Sequence, residues 1–488
     1  MDIVSEFIRE QKQYTKSELE KIFFFSSGEV DSFIGKLKAF GILRTVKNNS
    51  EQLELSDLIA EEMEVANAES QIDDELYVFT YVGIIMVGSR IIKCYPKYLL
   101  SEGSPLEEMK QVLKVISRYD SKGQNINLFN GNTEYSKFNI LAVTLFLFDD
   151  YHEYGIYSNS EDMVEINGEG EILWDRTINE SFFLISNNRP YYLNVYTEKN
   201  VEDELDFFKH LHECVLTDCS KQLEEADLLD LFELLPINLS ELTLKDFGDT
   251  DYILYRLDSE LSIQFNTRKQ ILLKTLRAYV DNRQVHESGD EISIYGTNSF
   301  KSVWEDVCAE VFDNKLRTPL NQLKLPCMSG SYASSDKLAD VIEKPKWVGY
   351  KTNGTIFENN AKETFKPDIA TIWLQNDKYY FIILDAKYYI LQLEEGRLGG
   401  QPGVNDLAKQ YLYQLAFKNF LTEHNIEEVR NCFLMPIQSS EIVKKGVARM
   451  DILATLGLQD IQIRQLPAKT MFDFYLKRET MDMSALQL

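Results

Sequence analysis

Apolar and polar positions along this chain follow two periods, and the changes between them mark its elements. Residues 15–24 open on Thr and Ser and continue at helical spacing. Residues 29–40 repeat that spacing with Val30, Phe33, Ile34, Leu37 and Phe40 on one face, and Gly41 stops the run. Residues 42–47, a polar Asn48-Asn49-Ser50 tip and Leu53-Glu54-Leu55 then predict strand, turn and strand. Residues 1–60 thus predict a winged helix-turn-helix-like unit with Ser32, Lys36 and Lys38 facing out, able to read DNA or to dock on protein.

Residues 61–75 form an acidic linker, and residues 76–98 read as a hairpin turning at Gly88-Ser89-Arg90. Helical spacing follows at 105–119, 138–152, 205–235 and 263–281, with a strand pair expected around Ile156 and residues 163–167. From Gly296 the pattern changes again: a helix to Phe312, a loop-rich stretch at 313–350 and a hairpin at 366–389. A Gly-rich loop at 394–405, a helix at 406–424 and a strand at 431–436 complete it. The expected fold class is a multidomain α+β and α/β chain with a winged-helix-like unit at 1–60 and a linker at 61–75. A mixed α/β partner-docking domain at 76–290 and a small α/β nuclease domain at 291–488 follow.

With 488 residues, 44% apolar and 26% charged, the chain can bury several cores. The first ten residues carry acids where a signal peptide needs an apolar run, and the most apolar windows are too short or too interrupted to span a bilayer. Six scattered cysteines without a Cys-x-x-Cys pair fit reduced thiols, so a cytoplasmic protein without a membrane segment is expected. The net charge of −27 argues against strong DNA affinity for the chain alone. Its distribution is uneven: residues from 301 onward hold 23 basic and 24 acidic groups, leaving 28 basic and 54 acidic before them. A near-neutral last domain can approach DNA, whereas the acidic remainder favours docking on a protein.

The chemistry concentrates at Lys366-Pro367-Asp368 and Asp385-Ala386-Lys387. Side chains two apart on a strand share a face, so Asp385 and Lys387 project together, and Asp368 lies on the antiparallel partner. An apolar run, Phe381 to Leu384, ends abruptly in Asp385, placing ionisable groups where burial is costly unless they bind something. Two hard oxygen ligands suit Mg2+ or Mn2+, with the Ala386 carbonyl and Glu305 on the preceding helix as further candidates. Lys387 would orient a water or neutralise phosphate charge. Lys366, Lys409, Gln410 and Tyr413 are DNA-contact candidates beside Lys36 and Lys38; packing or plain solvation is the alternative for those on the helix at 406–424.

Two other patterns carry less. His210-x-His212-x-Cys214 with Cys219 has poor spacing for zinc and reads as a packed helix. Gly28 and Gly35-Lys36 lack the Walker spacing, Val30 standing where Gly is required, so no nucleotide is expected to bind this chain.

Together these features resemble the LlaJI-type restriction endonucleases, relatives of the nuclease subunit of McrBC in the PD-(D/E)xK superfamily. The resemblance spans roughly residues 76–440 and rests on Tyr81-Val-Gly83 with Cys94-Tyr-Pro-Lys97, and on Gly170-Glu-Ile-Leu-Trp-Asp-Arg-Thr-Ile178. Gly296-Thr297 with Phe300 and Trp304-Glu305, Lys366-Pro-Asp368, Asp385-Ala-Lys-Tyr388 and Pro402-Gly-Val-Asn-Asp-Leu-Ala-Lys-Gln410 complete it. It implies a Mg-dependent endodeoxyribonuclease subunit of a restriction, phage-defence system that works with a separate AAA+ GTPase, its front part docking on that motor. Trp174 and Arg176 fall in the shared middle motif as partner-contact candidates, although a Trp-x-Arg on a strand is more often a packing pair with a solvated head. Two rivals remain: a self-sufficient sequence-specific nuclease whose residues 1–60 read the site, and a non-catalytic DNA-binding adaptor that keeps the nuclease fold as scaffold.

Overall fold

The computed structural model describes residues 3–25, 28–46, 75–101, 103–123, 139–187, 189–202, 206–287, 292–327, 331–454 and 456–488. Contacts divide the chain into two compact units. One comprises residues 1–3, 86–89 and 128–294, the other residues 4–85, 90–127 and 295–488. The front segments therefore share a unit with the C-terminal third of the chain.

That second unit begins with β1 (Val4–Arg9), β2 (Gln13–Thr15), α1 (Lys16–Ile22), α2 (Glu29–Ala39) and β3 (Leu43–Val46). Thr15 caps α1 through a box in which its hydroxyl accepts from the Glu18 N–H while the Glu18 carboxylate accepts from the Thr15 N–H. Val30, Phe33, Ile34 and Leu37 form the buried face of α2, as the helical period predicts. The strands that follow are β4 (Leu76–Phe79), β5 (Val82–Val87) and β6 (Arg90–Tyr95), and then comes α3 (Leu106–Gly123). The apolar run from 76 is thus divided: β4 pairs antiparallel with β2 and β3, while β5 and β6 belong to another sheet. Leu53-Glu54-Leu55 and nearly all of the acidic linker lie outside the described residues.

The first unit is built on α4 (Ile140–Tyr154), β7 (Ser160–Ile166), β8 (Glu171–Ile172), α5 (Trp174–Glu180), β9 (Phe183–Ser186), β10 (Arg189–Tyr192) and β11 (Tyr196–Glu202). Three long helices follow: α6 (Phe207–Glu225), α7 (Thr250–Ile263) and α8 (Thr267–Glu287). The partner of β7 is β11, not a segment near Ile156, because periodicity identifies a strand without identifying a partner thirty residues away. Trp174 and Arg176 sit on the short helix α5 rather than on a strand; the seven-residue segment is too brief for its period to separate the two states. Arg268 on α8 grips the buried Asp150 of α4 with two bonds of 2.9 and 2.7 Å, tying the helices together.

The chain leaves this unit through β12 (Ile292–Thr297), the last strand of a sheet ordered β1-β6-β5-β12. Gly83 and Gly296 explain themselves there. Both have positive φ, and a Cβ on either would lie 2.2 Å from a backbone oxygen of the facing segment, Tyr295 O or Val82 O.

The remaining elements of the second unit are α9 (Phe300–Val311), β13 (Lys346–Tyr350), β14 (Ile356–Asn360), β15 (Ile369–Gln375), β16 (Lys378–Ala386), β17 (Gln392–Glu394), β18 (Arg397–Gly399), α10 (Val404–Glu423), β19 (Glu428–Ile437), β20 (Val443–Ala448), α11 (Asp451–Ala454), β21 (Ile461–Pro467) and α12 (Ala468–Lys477). A five-stranded sheet ordered β15-β16-β19-β21-β20 carries the site. Its centre, β16-β19-β21, is parallel and its two edges are antiparallel. Phe381 and Ile383 on one face of β16 pack with Phe417 and Phe420 of α10. On α9 the Trp304 indole donates to Leu434 O at 3.1 Å, anchoring that helix to the sheet.

Candidate active site

The β15–β16 register places Ile369 opposite Leu384, so Asp368 falls beside the end of β16, where Asp385, Ala386 and Lys387 emerge. The Ala386 N–H donates to Asp368 Oδ2 at 3.0 Å, and the Lys387 ammonium lies 2.7 Å from Asp385 Oδ2. Asp385 and Lys387 retain 5% and 8% of their surface, while Asp368 is half-buried and forms the more accessible side. Asp368 and Asp385 are close enough to affect each other's ionisation. Burial raises both above the ordinary aspartate range; the Glu305 charge adds to this at Asp368, and the Asp368 charge adds to it at Asp385. Burial opposes the charge on Lys387, but Asp385 and Asp406 more than offset it and hold the ammonium above the usual lysine range.

Three supports escaped the sequence reading. Asp406, in the first turn of α10, takes a second bond from Lys387 Nζ at 2.9 Å, so the lysine is held between two acids. Asn314 donates to Asp368 O at 2.7 Å and accepts from the Ala370 N–H at 3.2 Å, fixing the backbone that carries Asp368. Beyond Lys387, the buried Tyr388 hydroxyl donates to Glu10 at 2.6 Å and its ring lies 4.7 Å from the Lys97 ammonium. For Asp406 the sequence held a signal, an acid just after a Pro-Gly helix start. For the other two the partners lie dozens to hundreds of residues away.

Of the acids on α9, Asp306 is taken by the Tyr475 hydroxyl and Glu310 by Arg118. Glu305 pairs loosely with Lys301 at 3.5 Å; burial first, and the Asp385 charge among lesser causes, raise its pKa. It therefore belongs to the electrostatic surroundings of the aspartates. Lys366 and Lys409 are exposed. Gln410 and Tyr413 are withdrawn into the protein, Tyr413 stacked on Phe365, so neither side chain lies at the surface. Lys38 is exposed over the Tyr77 ring, and Lys36 is half-buried. Trp174 is exposed, and Arg176 pairs with Glu180 across the Tyr196 ring.

Among the described residues no three His, Cys, Asp or Glu side chains converge as a ready metal cluster. At the sheet end the donor set fits a hard divalent ion all the same: a buried Asp385 and a half-buried Asp368, with burial and the neighbouring negative charge raising the cost of ionising Asp385. The His/Cys motif of α6 does not fit zinc. The buried His212 accepts from the Tyr157 N–H at 3.0 Å, His210 pairs with Glu213, and Cys214 bonds Leu242 O. Nor, among the described residues, is any helix long and apolar enough to cross a membrane.

The family profile described as LlaJI restriction endonuclease matches residues 81–469. The chain belongs to that family. It is similar to the type II restriction enzyme BsuMI component YdjA of Bacillus subtilis (strain 168), with 28% identity over 412 residues, covering 83% of this chain and 82% of the relative. Two solved assemblies share its outline weakly. One is a half-complex from a tetradecameric assembly of Thermococcus gammatolerans McrB AAA+ hexamers with bound McrC, at TM-score 0.33 and 13% identity over 97% of this chain and 99% of that one. The other is the cryo-EM structure of the Thermococcus gammatolerans McrBC complex, at TM-score 0.21 and 13% identity over 56% and 79%. At such scores the family assignment rests on the sequence match alone.

Proposed function

We propose that this LlaJI-family chain is the DNA-cutting subunit of a restriction system, hydrolysing phosphodiesters with Mg2+ or Mn2+ at a PD-(D/E)xK-type site. The observation that carries the reading is the meeting of Asp368, Asp385 and Lys387 at one sheet end, Asp368 bonded to the Ala386 N–H and the Lys387 ammonium paired with Asp385. Asp368, Asp385 and the Ala386 carbonyl would hold the ion, with Glu305 beside them directly or through water. When bound, the ion supplies Lewis-acid polarisation of the scissile phosphate. Lys387, clamped by Asp385 and Asp406, keeps its proton; it therefore serves as a fixed positive charge toward the transition-state phosphate rather than as a base. Lys366 and Lys409, both exposed, lie on the segments that flank the site and would meet the DNA backbone.

The same reading assigns a partner AAA+ GTPase. Its support is the exposure of several large apolar side chains between residues 174 and 193, Trp174, Ile178, Phe182, Ile185 and Leu193. Trp174 and Arg176 would be contacts there, and the winged-helix-like segment at 1–60 a further docking or DNA-reading element. The test incubates plasmid with Mg2+ and this chain, with and without a candidate AAA+ GTPase partner and GTP, using Asp385→Ala and Lys387→Ala as controls. Cutting that needs the partner and both side chains is expected. Partner-free cutting of a defined site would favour a self-sufficient enzyme, and no cutting in any mixture would favour a non-catalytic adaptor.

A further inference from the structure

Immediately before Pro367-Asp368 the chain throws out a two-stranded ribbon, β13 and β14, that pairs with no other strand among the described residues. Every residue from 343 to 360 except Gly349 is exposed, including Trp347 at 71% and Tyr350 at 75%. A lone hairpin showing aromatics on both faces is marginal in water, and a surface of that kind marks a binding element. The Phe357 ring lies over Gly349, where a Cβ would meet it at 2.4 Å, so the ribbon stays thin on the face that carries Trp347.

Charge selects the occupant. Residues 343–366 contain Lys344, Lys346, Lys351, Lys362 and Lys366 against Glu343, Glu358 and Glu363, a net +2 in a chain of −27, and all five lysines are exposed. The ribbon is also fixed to the site. The Ala361 N–H donates to Pro345 O and the Thr364 hydroxyl to Glu343 O, each at 2.8 Å; Phe365 stacks on Tyr413 with ring centroids 5.6 Å apart, and Pro367 is buried. From Asn360 to Asp368 the chain can span at most about 29 Å, less than the roughly 34 Å of one duplex turn. Strands of five residues run about 17 Å, and a two-stranded ribbon fits a major groove about 12 Å wide.

We propose that residues 343–366 form a duplex-DNA-binding arm that enters the groove beside the cut phosphate. Its lysines meet the backbone and Trp347 and Tyr350 meet sugar or base edges. The inference rests on the cutting function proposed above.

Two measurements test it on the full chain. The first is binding of a fluorescent duplex with Ca2+ in place of Mg2+ across a salt series. Lys346→Ala/Lys351→Ala/Lys362→Ala should lower affinity at least tenfold and flatten the salt slope by about 2–3. Trp347→Ala/Tyr350→Ala should lower affinity several-fold at an unchanged slope. Both should keep the wild-type Tm, since the side chains removed touch solvent. The second places a photo-cross-linking residue at Asn353, at the ribbon tip, which should capture labelled DNA in a cutting mixture. Ribbon variants with wild-type affinity and slope, or a tip that captures no DNA while the wild type cuts, overturn the arm. Variants that bind DNA normally yet lose partner-dependent cutting overturn it in favour of a protein contact. If Asp385→Ala still cuts, the active-site reading falls while the binding and capture results judge the arm separately; a mixture that neither cuts nor cross-links overturns both.

Discussion

At the residue scale, the chemistry depends on charges forced into contact. The Lys387 ammonium, shared by Asp385 and Asp406, should be replaceable by no neutral group: Lys387→Ala is expected to lower the cleavage rate about 10²–10³-fold with DNA affinity nearly unchanged, measured under single-turnover conditions. The aspartate pair gives a pH signature. Because folding raises both pKa values, the stability tied to their protons is present at low pH and lost as pH rises through the folded values. Mg2+ binding needs the deprotonated pair, so its thermal stabilisation should grow from pH 6 to pH 8. At tenfold excess over Kd it should approach about 1.4 kcal/mol, and it should vanish in Asp385→Asn. His212 has the opposite sign. Burial lowers it to about 3, so its contribution is intact above its ordinary range and lost as pH falls through that value. Between pH 6.5 and 4.5 the loss is on the order of 2–3 kcal/mol. His212→Asn, which keeps an acceptor for the Tyr157 N–H, should show a correspondingly shallower fall in urea midpoint over that interval than the wild type.

At the element scale, strands and helices with strong local patterns were legible, whereas their partners were not. Asp385 and Lys387 could be placed together because a period of two leaves no choice once Phe381–Leu384 is buried, and Asp368 followed from the tight turn at Asn376-Asp377. The α1 cap and the buried face of α2 were equally readable. Nothing local indicates that β1 runs parallel to β6, that β4 leaves its neighbours for another sheet, or that Asn314 reaches Asp368. Burial was invisible too: Gln410 has the composition of a surface contact and sits wholly inside. Of the ribbon, β13 falls in the stretch expected to be loop-rich and β14 in a segment given no element, because its apolar residues face solvent on both sides and so form no one-sided stripe. The two glycines that let β5 and β12 touch make a sharp prediction. Gly83→Ala or Gly296→Ala should cost more than about 2 kcal/mol in thermal unfolding, since each adds a Cβ at 2.2 Å from backbone in a conformation that L-residues avoid.

At the scale of the whole molecule, charge is divided by task. The acidic first 300 residues repel a polyanion, and the near-neutral remainder holds the aspartates and the lysine ribbon. Such a chain should bind bare DNA weakly and depend on a partner to be delivered to it. The exposed apolar side chains of residues 160–202 should carry that dependence. Trp174→Ala with Ile185→Ser is expected to leave unfolding stability within about 1 kcal/mol of wild type while abolishing co-purification with the proposed AAA+ partner, read by size-exclusion chromatography.

Glu10 and Tyr388 lie 378 positions apart in the chain and 2.6 Å apart in the fold, one just after the opening strand and the other next to Lys387. A cutter engineered by grafting residues 291–488 onto a different targeting module would leave behind the carboxylate that braces its own reaction centre. Recombination that swaps specificity among such systems would have to carry the first strand along with the last third of the chain, or inherit a loosened blade.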